Sequence, residues 1–157
     1  TAIVFGISGV VDMALFYPAG KVMDIRGRLW VAIPSMAIMG AGMIALIGAT
    51  TFTTVSVVAV VLGFGNGIGS GILMTLAADA APADARSQFM GIWRVFADVG
   101  NSGGPLLVAG GAGLGSLGLG VGAIGVISLA TVAALWAWVP RWSVHANATT
   151  RKQAGLL

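Results

Sequence analysis

The chain has 157 residues, of which 57% are hydrophobic and only 8% are charged, and its mean hydropathy is +0.98. Soluble domains carry about 25% charged residues, so this composition predicts that lipid rather than water surrounds most of the chain. The net charge of +3 comes from basic residues scattered over short segments, which does not favour nucleic-acid binding. The absence of cysteine excludes disulfides and cysteine-based metal sites. We expect no metal and no cofactor.

Five apolar segments, each long enough to cross a bilayer, follow one another along the chain. A transmembrane helix needs about 20 apolar residues, and the two longest uncharged runs are each divided by a polar or glycine-rich stretch, at 48–54 and 110–118. The runs lack the alternation of a membrane β-strand. The sequence therefore predicts an all-α, polytopic membrane helix bundle over 1–142 and a poorly ordered tail at 143–157. The predicted spans are about 1–19, 29–49, 55–78, 88–110 and 117–139.

The basic residues outside the spans all fall on one predicted side of the membrane. Loops rich in Lys and Arg stay in the cytoplasm, so we expect a cytoplasmic tail and a location in a bacterial inner membrane. The chain begins without Met and lacks the features of a signal peptide, which predicts a fragment of a longer protein. The basic residues on this side are Lys21, Arg26, Arg28, Arg86, Arg141, Arg151 and Lys152.

Charged residues also lie inside two predicted spans: Asp12 in the first, and Arg94 and Asp98 in the fourth. Such a residue costs at least ~2.5–3.5 kcal/mol on insertion scales, so it usually faces a protein interior or a water-filled cavity. Arg94 and Asp98 are four residues apart and share one helix face, which Asn101 continues. These residues, with Asn66 on the third span, are candidates for a substrate or proton pathway. Snorkelling of Arg94, a structural ion pair and simple helix packing remain alternatives.

The third predicted span contains alternate glycines, in the stretch GFGNGIGSG at 63–71. A phosphate-binding loop needs a following Lys and Ser or Thr, which this stretch lacks. Two interpretations remain: close packing of helices through small residues, and a bendable helix that lines a cavity.

The stretch GKVMDIRGRLW at 20–30 places four charges and two glycines between two apolar spans. It resembles the conserved cytoplasmic loop of the major facilitator superfamily, Gly-x-x-x-Asp-Arg-x-Gly-Arg-Arg. Ile25 and Leu29 stand where the family has Arg, and Arg26 is displaced by one position. Degenerate copies of this kind are typical of the loop between helices eight and nine. The matching residues are Gly20, Asp24, Gly27 and Arg28.

A second stretch, at 77–107, resembles the junction of helices ten and eleven in the same superfamily. Gly100, Gly104, Pro105 and Gly110 also resemble a motif in helix five of drug–proton antiporters, which would place the chain in the first half of the fold. A first half would carry an Arg in the helix corresponding to the third span, but that span contains no Arg. A first half would also lead into helix seven. The resemblance therefore implies helices eight to twelve, five helices of an incomplete twelve-helix fold.

This resemblance implies a secondary transporter that moves a small solute by alternating access and is driven by the proton gradient. Its partners would be the solute, H+, the lipid bilayer and the missing N-terminal half. The loop would be a cytoplasmic gating motif in which Arg28 pairs with Asp79, at the end of the third span, and Asp24 meets the missing half. The plain alternative is that the basic residues of this loop are only topology signals.

Two other classes of membrane protein fit the sequence less well than a transporter. An intramembrane enzyme is disfavoured, because the only histidine, His145, lies in the tail and no Ser, His and Asp constellation lies at membrane depth. The chain is therefore predicted not to be an enzyme. A small channel or structural membrane subunit would explain the spans and the charge asymmetry, but not the pattern from Gly20 to Arg28.

Overall fold

The structure is a bundle of long helices. The computed structural model describes residues 17–69 and 71–155. No strand occurs in this part of the chain, which confirms the all-α prediction. A helix ending at residue 26, here α1, is described from residue 17. The helices that follow are α2 (Leu29–Ile47), α3 (Phe52–Gly69), α4 (Ile72–Ala80), α5 (Arg86–Gly113), α6 (Leu117–Trp142) and α7 (Ala148–Gln153).

Within the described residues, three segments are long and apolar enough to cross a membrane: α2, the stretch Phe52–Ala80 that contains α3 and α4, and α6. The 28 residues of α5 extend ~42 Å, which also exceeds a bilayer core of ~30 Å. Its charged residues Arg94 and Asp98 lie within that length. The predicted first span lies mostly outside the described residues, because these begin at residue 17.

The two ends of the bundle differ in charge. One end carries the loop at 27–28, the loop at 81–85 and the tail from residue 143, and we call it the basic end. These segments lie together, because Arg28 pairs with Asp79 and the backbone amides of residues 28 and 29 bond to the tail. The opposite, uncharged end carries the loops at 48–51 and 114–116, which contain no charged residue.

The central helix α2 packs between α3 and α6, and small residues bring these helices together. The Ser35 hydroxyl on α2 donates a hydrogen bond of 2.8 Å to the Gly65 carbonyl oxygen on α3. A Cβ added at Gly65 would lie 2.9 Å from Ile38, so the glycine is needed for this approach. Close packing therefore accounts for Gly65 among the alternate glycines of α3.

Helices α5 and α6 touch through their backbones near the uncharged end. Gly111 of α5 faces Gly120 of α6, and a Cβ added to Gly120 would lie 2.5 Å from the Leu107 carbonyl oxygen. Neither position can hold a larger residue without moving a helix. The outer faces of the bundle carry large apolar side chains such as Phe96 and Trp136, which suits a lipid environment.

The tail, for which the sequence predicts poor order, contains regular structure. It forms the short helix α7, which begins with a capping box in which Asn147 and Thr150 each bond to the other's backbone. Ala146, just before this helix, is completely buried. Two features that composition does not reveal order the tail: a local helix cap and contacts with the loop at 27–28.

Candidate functional site

The stretch singled out in the sequence forms a tight corner between α1 and α2. Gly20 and Asp24 lie on α1, and the Gly27 amide donates a hydrogen bond of 3.1 Å to the Met23 carbonyl oxygen at the end of that helix. Gly27 has φ +102°, in the left-handed region that favours glycine at a helix C-terminus. Arg28 follows as the N-terminal flanking residue of α2. The glycine therefore turns the chain so that Arg28 starts the next helix.

Arg28 bridges two carboxylates on different helices. Its Nε donates to Asp79 Oδ2 at 3.0 Å, and its Nη1 donates to Asp24 Oδ1 at 3.1 Å. The side chains of Arg28 and Asp79 are only 14% and 16% exposed, whereas that of Asp24 is 76% exposed. The structure thus brings together three of the candidate residues, which we call the charge triad: Asp24, Arg28 and Asp79.

Each charge of the triad lies at a helix end whose dipole disfavours a charge of that sign. A helix favours cations near its C-terminus and anions near its N-terminus. Asp24 and Asp79 nevertheless lie in the last turns of α1 and α4, and Arg28 flanks the start of α2. None of the three charges therefore stabilises the helix end that carries it. Their mutual pairing offsets these unfavourable positions.

Arg28 stays charged in this environment. Desolvation by burial lowers the pKa of Arg28, but the hydrogen bonds and charges of Asp79 and Asp24 together outweigh it and raise the pKa above its ordinary value. The guanidinium is therefore a permanent cation at the centre of the triad. Gly20 has no comparable role in the described residues, because a Cβ added there would meet no described atom within 4 Å.

The candidate pathway residues of α5 lie on a different part of the molecule. Arg94, Asp98 and Asn101 are ~12, ~18 and ~22 Å along the helix from Arg86, and all three are exposed. Among the described residues, Arg94 and Asp98 have no ion-pair partner, so the structural pair that the sequence left as one alternative is not formed. Asp98 lines a groove of about 440 Å³ along α5.

A proline also interrupts the backbone hydrogen bonding of α5. Pro105 lies inside the helix and has no amide hydrogen, so it cannot donate to the Asn101 carbonyl oxygen. The side chains of Arg94, Asp98 and Asn101 are exposed on this helix. Of the remaining candidates, Asn66 lies on the exposed side of α3, and Asp12 lies outside the described residues.

Comparison with known proteins places the chain in a family. The family model described as Major Facilitator Superfamily matches residues 1–155. The chain belongs to this superfamily. No curated protein and no solved structure gives a significant match.

Membership of the major facilitator superfamily gives the chain its general role. It is an integral, multi-pass membrane protein of a transporter family, whose members act on small molecules in a lipid environment rather than as enzymes. Its helical architecture and three candidate spans agree with that role.

The sequence prediction missed the tail residues that contact the superfamily's loop motif. The carbonyl oxygens of His145 and Ala146 accept hydrogen bonds of 3.0 Å from the Arg28 and Leu29 amides. Arg151 Nη1 donates to the carbonyl oxygens of Asp24 and Ile25 at 2.7 and 3.1 Å. One signal was present in the sequence: Asn and Thr three residues apart, at 147 and 150, are typical of a helix start.

Proposed function

We propose that this chain supplies helices eight to twelve of a proton-coupled transporter that moves a small solute by alternating access. The observation that carries the proposal is the charge triad, in which Arg28 joins the corner between α1 and α2 to the end of α4. In alternating access, two halves rock about a central site. A gate at one end must therefore close firmly and still be able to open.

Asp24 is the gating group in this proposal. Arg28 and the largely buried Asp79 hold the corner of the loop, while the side chain of Asp24 remains 76% exposed. Its carboxylate has capacity for further hydrogen bonds, because only one of its oxygens bonds to Arg28. It would meet a helix end of the N-terminal half and latch the basic end in the outward-open state. Gly20 would allow that helix to approach closely.

The exposed charges of α5 support a pathway between the two halves. Facing lipid, each would cost at least ~2.5–3.5 kcal/mol. Since Arg94 and Asp98 lack an ion-pair partner in the described residues, a second set of helices would cover them and enclose a polar cavity. Asp98 and Asp12 are the proposed proton carriers. Arg94, Asn101 and Asn66 would bind solute or orient water.

The basic end would face the cytoplasm, since seven of the eight Lys and Arg residues lie in or near its segments and the topology rule keeps such residues inside. The protein would then lie in a bacterial inner membrane with its C-terminus in the cytoplasm. The chain alone would not transport solute, because half of the substrate site would be missing.

The test uses the complete protein in proteoliposomes, with a panel of solutes and an imposed pH gradient. Asp98→Asn and Asp12→Asn are compared with Asp84→Asn, a control whose exposed side chain has no ion-pair partner in the described residues. We expect the loss of gradient-driven transport, with solute exchange retained, in at least one of the first two variants. Full coupling in both would show that these acids do not carry the proton.

The gate is tested separately with Asp24→Asn. We expect slower transport in this variant while Asp84→Asn matches the unaltered protein. Solute flux that is passive and indifferent to both the pH gradient and Asp24→Asn would instead indicate a channel. Transport by the isolated chain in liposomes would contradict the need for a second half.

A further inference from the structure

The tail packs against the corner that carries the charge triad. Residues 143–155, which we call the tail clamp, turn back after α6 and place Ala146 in a fully buried position. Within the described part of the chain, the Ser143 hydroxyl is also buried and has no hydrogen-bond partner. A segment that only trailed into water would have no reason to bury either residue.

The clamp satisfies the first amides of α2. The first amides of a helix have no partner within the helix. Here the Arg28 and Leu29 amides donate to the carbonyl oxygens of His145 and Ala146. The start of α2 is therefore capped by the tail.

The clamp also satisfies the end of α1. The last carbonyl groups of a helix lack intrahelical donors, and a cation is favoured beside them. The Arg151 guanidinium supplies both needs by donating to the carbonyl oxygens of Asp24 and Ile25. One side chain on the tail thus bonds to the backbone of the residue that forms the proposed gate.

Gly27 fits this arrangement in two ways. Its φ of +102° disfavours any other residue, and a Cβ there would lie 2.7 Å from the Ala146 carbonyl oxygen. The glycine of the loop motif therefore provides the surface on which the tail sits. The tail and the loop are complementary in shape as well as in hydrogen bonding.

We propose that the tail clamp holds the gating loop in register, with Arg151 as its positioning residue. By bonding to the end of α1 and the start of α2, the clamp fixes the angle of the corner from which Asp24 and Arg28 project. Release of the tail would let the corner move and would weaken the gate. This consequence for gating rests on the proposed function, whereas the docking of the tail does not.

Docking can be measured by thiol labelling, because the chain has no cysteine of its own. Ser143→Cys is nearly isosteric and places a thiol where the hydroxyl is buried, while Ala148→Cys provides an exposed reference. In the complete protein, freed of any other cysteine, we expect Ser143→Cys to react with a maleimide at least ~10-fold more slowly than Ala148→Cys. Adding Arg151→Ala should raise the Ser143→Cys rate about tenfold, because it removes charge-assisted hydrogen bonds.

Lys152→Ala is the matched control, since Lys152 is the exposed basic neighbour of Arg151. It should leave the labelling rate unchanged. Equal rates for Ser143→Cys and Ala148→Cys in the otherwise unaltered protein would overturn the docking of the tail. Equal acceleration by Arg151→Ala and Lys152→Ala would overturn the role of Arg151.

The same variants are then assayed for transport. Arg151→Ala should slow uptake about two- to thirtyfold, the range for coupling carried through packed residues, while Lys152→Ala should not. Faster labelling with unchanged uptake would show that the clamp does not act on the gate, and would overturn the proposal. No uptake by the unaltered protein would count against the proposed function and leave the labelling result intact.

Discussion

At the scale of single residues, Arg28 connects the segments of the basic end. Its backbone amide bonds to the tail, and its side chain bonds to acids on α1 and α4. The two acids differ sharply in burial, with side chains 16% exposed at Asp79 and 76% exposed at Asp24. They therefore have different tasks: the buried carboxylate stabilises the corner, and the exposed one remains available to another surface.

This difference predicts unequal losses of stability. Asp79→Asn should lower the free energy of unfolding by about 1.5–3 kcal/mol, because it removes a charged hydrogen-bond partner from a largely buried cation. Asp24→Asn should cost only about 0.2–1 kcal/mol, the range for exposed ion pairs. Thermal or denaturant unfolding in detergent micelles measures both. Equal losses of unfolding free energy in the two variants would show that the burial of Asp79 does not affect stability.

The pKa of Arg28 predicts how the triad responds to alkali. Because the folded-state pKa of Arg28 is raised, its stabilising contribution is complete below the unfolded-state pKa and is lost only as the pH rises through the still higher folded value. The stability difference between the unaltered protein and Arg28→Gln should therefore be constant from about pH 7 to about pH 10. Unfolding at several pH values tests this. A difference that shrinks across that range would contradict a permanently charged Arg28.

At the scale of helices, glycines determine how close neighbouring axes come. Two positions on α5 separate this effect from helix propensity: Gly111 faces the backbone of α6, whereas a Cβ added at Gly110 would meet no described atom within 4 Å. The same is true of Gly100 and Gly104. No close neighbour within the described chain therefore requires glycine at these positions of the Gly-Pro motif. A requirement for glycine there would have to come from contact with another surface.

Alanine at adjacent glycines tests the helix contact. Gly111→Ala should destabilise the protein by about 1–3 kcal/mol, the range for forcing extra atoms into a packed site. Gly110→Ala should be neutral or stabilise it by up to about 1 kcal/mol, because alanine favours helix. Unfolding in detergent compares the two. Similar values for both would mean that α5 and α6 are not in backbone contact.

Much of the helical layout was predictable from the sequence, because uncharged runs are long and their breaks are polar. The predicted spans at 29–49, 88–110 and 117–139 lie at α2, α5 and α6. The third span, 55–78, covers α3 and α4, which are described on either side of residue 70. The tail helix was not predicted, since composition alone does not show that Asn147 caps a helix.

The candidate site was predictable only where it matches a family motif. The sequence did not predict the contact of Asp24 with Arg28, because the corner at Gly27 places these two residues on different helices. The contact of Arg28 with Asp79 spans 51 positions and was inferred from the resemblance. The bonds from Arg151 to residues 24 and 25 had no such guide, because a basic residue in a polar tail does not indicate its partner.

At the scale of the whole molecule, the positions of the basic residues predict how the bundle lies in the membrane. Leu114→Cys marks the uncharged end, where that residue is 81% exposed, and Gln153→Cys marks the tail. An impermeant maleimide added to intact cells should label the first and not the second. Labelling of both after the membrane is permeabilised is the control. The reverse pattern would place the basic end outside.

The contact between Gly111 and Gly120 should not depend on ionic strength. That contact joins two uncharged backbones, whereas the opposite end is held by the triad and by Arg151. Dissolved salt shortens the Debye length from ~10 Å at 0.1 M to ~3 Å at 1 M, which weakens the exposed contact of Asp24 with Arg28 most, the largely buried contact of Arg28 with Asp79 less, and leaves apolar contacts unaffected. Concentrated salt should therefore loosen the bundle at one end only. The glycine contact would then act as the pivot about which the helices part.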